Sequence, residues 1–153
     1  MADYEIAAAL IRSHPDLADF AGPRDEELVR AAEEALGVRF PPSYRRFLRE
    51  YGAGSFGGQE IYGVIDADFE SSGVPDAVWN TLGLRHDGDI PPDLVVVYAT
   101  GDGERLCVQS SASDTPMLAI WPGSDEEPEV AASDFGTWFK EIVEGEIADA
   151  LGP

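Results

Sequence analysis

A pair of prolines followed by an aromatic stripe at helical spacing constrains this chain more than any other feature. Pro41 and Pro42 suit the first turn of a helix, because the first helical N–H groups have no intrahelical acceptor for proline to remove. Large apolar side chains follow at i, i+3, i+4 and i+7, which places them on one helical face: Tyr44, Phe47, Leu48 and Tyr51. Glycines at 52 and 54 end such a helix readily. We therefore predict a helix with a buried aromatic face, a glycine stop and a first strand over residues 60–65.

Three further helices are predicted from apolar spacing and end signals. Residues 3–20 indicate a helix interrupted at Pro15. A second helix lies between Pro23 and Gly37, with Asp25 in position to cap it. Residues 75–82 predict a short helix that ends at Gly83.

The second half of the chain predicts strands followed by a closing helix. Leu94–Ala99 is an unbroken apolar run, typical of a strand buried on both faces, and we expect it to be the central strand and the surface on which the aromatic helix packs. A turn over residues 101–103 joins it to a partner at 105–110, and further strands are predicted at 117–121 and 130–132. A helix beginning after Asp134 follows, with a stripe at Phe135, Trp138, Phe139, Ile142 and Val143.

This order of elements predicts the fold class α+β. We expect a single domain over residues 1–153, with one mostly antiparallel or mixed sheet of about five to six strands packed with N-terminal helices and a C-terminal helix. The lone Cys107 excludes an intramolecular disulfide and fits a reducing compartment.

The charge balance indicates the kind of partner. The chain carries 30 acidic and 10 basic residues, a net charge of −20, which disfavours binding to nucleic acid and to anionic membranes. A basic protein is the complementary partner, although high acidity also simply keeps proteins soluble. The chain opens acidic, without a secretory leader, and has no apolar run near the ~20 residues of a membrane span. We therefore expect a cytoplasmic protein.

No catalytic or metal-binding pattern is complete in this sequence. His14 and His86 are far apart in the chain, and Cys107 lies between apolar residues as a buried structural thiol would. The glycine string at 52–57 follows a helix instead of a strand, so the dinucleotide interpretation fails. Carboxylates alternate at Asp66, Asp68 and Glu70 and at Asp87 and Asp89. Either set could hold a divalent cation, but neither completes a calcium-binding loop.

The three tryptophans differ in context. Trp79 and Trp138 lie on predicted helical stripes, where we expect core positions. Trp121 ends a strand beside an acidic loop; there it is either a core residue or an exposed anchor for a partner. We expect no enzyme activity, no cofactor and no metal.

The chain resembles the SMI1/KNR4 (SUKH) superfamily. Its members carry a "Leu-Pro-x-x-Tyr-x-x-Phe-Leu" helix, which residues 40–48 match with Phe40 in place of leucine, and residues 52–54 stand where "Asn-Gly-Gly" is common. The "Glu-x-x-Leu-Gly" that precedes the prolines is matched at residues 33–37. In the second half the strand, "Gly-Asp-Gly" turn, strand, strand ending in tryptophan, acidic loop and aromatic helix occur in the family order. The resemblance covers about residues 26–142.

The resemblance implies a function. Bacterial SUKH proteins are similar to immunity proteins that bind and neutralise a cognate toxin domain, so we expect a basic, nucleic-acid-acting toxin as partner and a monomer or weak homodimer. Contacts are expected from carboxylates and one aromatic on the loops at the ends of the sheet: Asp66, Asp68, Glu70, Asp87, Asp89, Asp102, Glu104, Trp121, Asp125, Glu126 and Glu127. Two alternatives stay open, a regulatory scaffold like the eukaryotic SMI1/KNR4 proteins and a cation-dependent enzyme.

Overall fold

The computed structural model describes residues 2–69 and 76–152. Within these residues the helices are α1 (Ala2–Ser13), α2 (Glu26–Leu36), α3 (Pro42–Glu50), α4 (Ala77–His86) and α5 (Phe135–Leu151), with a 3₁₀ turn at Pro15–Leu17. The strands are β1 (Ala18–Phe20), β2 (Gly54–Phe56), β3 (Gln59–Ile61), β4 (Leu94–Ala99), β5 (Arg105–Gln109), β6 (Met117–Ile120) and β7 (Glu129–Ala132). The α+β class is confirmed.

The strands of the described residues form two antiparallel sheets, ordered β1-β2-β3 and β4-β5-β6-β7, where we expected one sheet of about five to six strands. The first sheet exists because the 3–20 segment, predicted as an interrupted helix, ends in a strand that pairs Ala18 with Phe56. A Cβ at Gly54 would lie 2.3 Å from the Asp19 carbonyl oxygen, so only glycine permits this close pairing. The strand predicted at 60–65 is consequently the third strand, not the first, and it ends at Ile61.

The prediction that β4 is central is wrong. It lies at one end of the second sheet, although Leu94, Val95, Val96 and Val97 are all buried. Its open side is covered, because Val96 N–H donates to the Thr81 hydroxyl on α4 at 3.0 Å and the Val97 carbonyl accepts from Tyr62 N–H at 2.8 Å. A covered edge strand is as apolar as a central one.

Helix α3 begins at Pro42 as predicted, and its aromatic face is buried. The ring contacts of that face run to α5 and to Phe20 of β1, not to the β4 sheet as we expected. Tyr44 lies 5.1 Å from Phe135 and Phe47 lies 5.3 Å from Phe139, measured between ring centroids. The closing helix supplies these partners because its own aromatic stripe needs burial against α3.

Most helix ends follow their local signals. The Asp25 carboxylate accepts from Leu28 N–H at 2.8 Å, and α2 ends before Gly37. The Asp134 carboxylate caps α5 in the same way, with Thr137 N–H at 2.8 Å. Helix α4 is the exception, since it continues through Gly83 to His86. A glycine inside a helix costs only ~1 kcal/mol, which the packing of Leu82 and Leu84 against the core outweighs.

Core positions were predicted for Trp79, Trp138 and Cys107, and two of these three predictions are confirmed. Trp138 and Cys107 are buried as expected, and burial raises the pKa of the Cys107 thiol to about 12. Trp79 is not in the core, because 38% of it is exposed. The face of α4 that packs inward carries Ala77, Val78 and Thr81, and Trp79 lies beside that face.

Candidate partner-binding surface

A groove of about 350 Å³ lies between the loop before β4 and the loop that joins β6 to β7. Its lining includes Asp89 from the first loop and Trp121 and Glu126 from the second. We call it the tryptophan groove. It brings together three of the residues selected from the sequence, and Asp89 is more than thirty positions from the other two in the chain.

Local hydrogen bonds shape the second wall of this groove. Ser124 N–H donates to the Trp121 carbonyl at 3.0 Å, and Glu126 N–H donates to the Ser124 hydroxyl at 3.2 Å. Gly123, which lies between Trp121 and Ser124, has a φ of 80°, a backbone conformation that favours glycine. A Cβ at Gly123 would lie 3.5 Å from an Asp89 carboxylate oxygen, so the two loops touch at this point.

The tryptophan at the end of β6 is partly open to solvent. Trp121 is 39% exposed, whereas Ile90 and Ile120 in the same lining are buried. Its ring also adjoins the β4–β5 turn, because a Cβ at Gly103 would lie 4.0 Å from it. Of the two interpretations of Trp121, the exposed position is the one the structure shows.

The neighbouring turn adds a carboxylate that stays ionised. The Thr100 hydroxyl donates to Asp102, and this hydrogen bond lowers the pKa of the Asp102 carboxyl. Glu104 follows in the same turn, where its carbonyl accepts from Thr100 N–H at 3.0 Å. The turn therefore presents negative charge beside Trp121.

The other selected residues are distributed as follows. Asp125 and Glu127 are exposed in the loop that carries Trp121, and Asp87 is exposed at the C-terminal end of α4. Asp66 and Asp68 are exposed in the loop after β3, where Asp68 N–H donates to the Asp66 carboxylate at 2.9 Å; neither is in the lining of the tryptophan groove. Glu70 lies outside the described residues.

Carboxylates around an exposed indole suit a cationic partner surface. Ionised carboxylates form the stronger class of hydrogen bonds with lysine and arginine, and an indole face attracts the same cations. Within residues 2–69 and 76–152, no group of three or more histidine, cysteine, aspartate or glutamate side chains could hold a metal ion. The arrangement is suited to binding a basic protein.

A larger groove, of about 930 Å³, was not anticipated from the sequence. Five arginines line it, and we call it the arginine groove: Arg30, Arg39, Arg45, Arg46 and Arg49. In the sequence, this region was interpreted only as the source of the buried aromatic face. The sequence does contain one indication of this groove: half of the ten basic residues of the chain lie within residues 30–49.

The order of helices, two antiparallel sheets and a closing helix defines an α+β protein. No helix in the described part of the chain is both long and apolar enough to cross a membrane. The SUKH_5 family model, described as SMI1-KNR4 cell-wall, matches residues 5–144. The chain therefore belongs to the SMI1-KNR4 cell-wall family, as the sequence resemblance predicted. No curated protein matches the chain.

Proposed function

We propose that this protein is an immunity protein that binds a cognate bacterial toxin domain through the tryptophan groove and its adjoining acidic loops. SUKH-family domains often serve as immunity proteins and are generally non-catalytic. The observation that carries the proposal is the gathering of Asp89, Trp121 and Glu126 in one groove, with Asp102 beside it. The partner is a basic toxin domain, and the protein acts on it in the cytoplasm.

Electrostatics and shape would act together in such a complex. The net charge of −20 attracts a basic partner over long range and raises the association rate. Trp121 then supplies the large apolar contact that dominates many interfaces, and the carboxylates around it pair with lysine or arginine side chains. Neutralisation follows from occlusion of the surface with which the toxin binds nucleic acid, and no catalytic step is needed.

Co-expression with the toxin domain encoded beside this gene tests the proposal. The unaltered protein should restore growth, and the double variant Asp89→Lys with Glu126→Lys should fail to do so. The matched control is Glu141→Lys with Glu144→Lys, because both residues are exposed on α5 and the change in net charge is identical. Loss of protection by the control pair alone, or no protection by the unaltered protein, would contradict the proposal.

A second candidate function is a regulatory protein-interaction scaffold. The observation that favours it is the cell-wall description of the matching family. The two candidates differ in the partner: a complex isolated from the native strain would contain a signalling or cell-wall component in place of a toxin domain. Mass spectrometry of an affinity pull-down distinguishes them.

A further inference from the structure

The basic residues of this chain are concentrated in one place. The arginine groove contains five of the ten basic residues but only four of the thirty acidic ones. It lies between α2, α3 and the segment that joins them, and Ser110 and Ala112 form its far side. In a protein with a net charge of −20, this groove is a surface where guanidinium groups outnumber carboxylates.

Several of these guanidinium groups have hydrogen-bond donors to spare. Each carries five N–H donors, but within residues 2–69 and 76–152 Arg49 makes a single side-chain hydrogen bond, to Glu26 at 2.6 Å. Arg30 lies 3.5 Å from Glu26 with 64% of its side chain exposed. The exposed Arg39 makes only backbone hydrogen bonds, to Ser110 and Ser111, and its guanidinium has no partner among the described residues.

Three of the four carboxylates in the groove already pair with its arginines and hold them in place, namely Glu26, Glu33 and Glu50; the exposed Glu34 has no such pairing among the described residues. Glu26 accepts from both Arg45 and Arg49, and Arg45, followed by Arg49, lowers the pKa of the Glu26 carboxyl to about 2. Glu33 accepts from Phe40 N–H at 2.8 Å. These contacts preorganise the donors, so an incoming carboxylate would find them already positioned.

We propose that the arginine groove binds an acidic, carboxylate-bearing segment of a protein partner. Arginine recognises carboxylates through its planar fork of N–H groups, and the groove supplies several such forks side by side. Its lining also includes the apolar side chains of Val38, Phe40 and Pro42, which match apolar residues interspersed in a peptide and have no counterpart in a phosphate backbone. The net charge of −20 opposes any anion over long range, and it opposes a long polyanion more than a short acidic segment, because the polyanion brings more charge near the acidic surface outside the groove. The inference does not depend on the toxin assignment.

Fluorescence anisotropy with short labelled peptides tests this inference on the full chain. An extended peptide of alternating glutamate and leucine should bind, and a peptide of alternating lysine and leucine should not bind in this groove. Arg39→Glu should weaken binding of the acidic peptide by about tenfold or more, the loss expected for a charged hydrogen-bond partner. Arg39→Ala should weaken it by a smaller factor. Since the Arg39 side chain has no partner in the described structure, both variants should keep the wild-type circular dichroism spectrum.

Arg12 offers the matched control, because it is exposed at the end of α1 and is not in the lining of the arginine groove. Arg12→Ala and Arg12→Glu should leave the affinity for the acidic peptide within twofold of the unaltered protein. Equal weakening by the Arg12 and Arg39 variants would overturn the proposal, because net charge alone would then explain binding. Absence of binding by the unaltered protein would also overturn it, as would tighter binding of a single-stranded oligonucleotide than of the acidic peptide.

Discussion

The buried hydroxyl of Tyr44 should contribute measurably to stability, and Tyr44→Phe removes it alone. Tyr44 is fully buried in α3, and its hydroxyl donates to the Tyr62 carbonyl at 2.9 Å. Tyr62 N–H in turn donates to the Val97 carbonyl of β4 at 2.8 Å. The hydroxyl therefore ties the aromatic helix to the segment that links the two sheets.

The magnitude follows from what the substitution leaves behind. Phenylalanine keeps the ring contact with Phe135 at 5.1 Å, so the apolar packing is unchanged. The Tyr62 carbonyl loses a buried donor, and leaving such a group unsatisfied costs about 1–3 kcal/mol. Because Tyr62 is itself 8% exposed and water has little access to its carbonyl, we expect a loss of about 2 kcal/mol in the free energy of unfolding.

Urea denaturation followed by circular dichroism measures this loss, and Tyr51→Phe is the matched control. Tyr51 is half-buried, and within the described residues its hydroxyl has no hydrogen bond, so its loss should change the free energy of unfolding by less than about 0.5 kcal/mol. Equal values for the two variants, or a Tyr44→Phe protein as stable as the unaltered one, would show that this buried hydrogen bond does not stabilise the fold.

Three smaller predictions concern one helix end and two ionisable groups. Asp134→Ala removes the cap of α5 and should lower the free energy of unfolding by about 1 kcal/mol in the same denaturation assay; no change would show that the cap is dispensable. The buried Cys107, whose pKa is raised from its usual 9.0 to about 12, should resist thiol reagents at neutral pH until the protein unfolds. It should also make stability fall as pH rises from 9, and rapid labelling of the folded protein would contradict this. Glu26, whose pKa is lowered from 4.5 to about 2 by Arg45, stabilises the fold above pH 4.5 and loses that effect as pH falls toward 2. Glu26→Gln should therefore make the loss of stability in acid shallower, and an unchanged slope would contradict the pairing.

The features predicted correctly are those encoded by neighbouring residues. The cap at Asp25 and the stop at Gly37 depend on hydrogen bonds within one turn of chain. The start of α3 depends on the fixed φ and the missing N–H of Pro42, and local sequence specifies all three. The aromatic stripes of α3 and α5 were also visible as spacing. Their mutual contact was not, because spacing shows that a face is buried but not what covers it.

The errors in the fold involve pairing between distant segments. The first sheet depends on Ala18 meeting Phe56, and β4 is buried at a sheet edge because Thr81 and Tyr62 reach its backbone. The residues next to Ala18 and β4 in the sequence give no indication of these distant partners. The predicted end of α4 at Gly83 is wrong for a different reason. Glycine does disfavour a helix locally, but tertiary packing of α4 outweighs that preference.

The candidate site was foreseeable in composition but not in geometry. The acidic loops and Trp121 could be selected from the sequence, yet only the folded chain shows that Asp89 meets the Trp121 loop and that Asp66 and Asp68 are not in that groove. The arginine groove was missed because its arginines come from separate segments: Arg30 is on α2, Arg39 lies between the helices, and Arg45, Arg46 and Arg49 are on α3. Its other wall comes from α2 and from Ser110, which only the tertiary structure brings near.

The most direct test of the proposed immunity function compares two tryptophans in the purified complex with the cognate toxin domain. Trp121 and Trp79 are 39% and 38% exposed, but only Trp121 lies in the tryptophan groove. Titration calorimetry should show that Trp121→Ala raises the dissociation constant about 30-fold or more, which corresponds to an interface hot spot of about 2 kcal/mol. Trp79→Ala should leave the constant within about twofold. Equal effects, or a larger effect of Trp79→Ala, would contradict the placement of the toxin on the tryptophan groove.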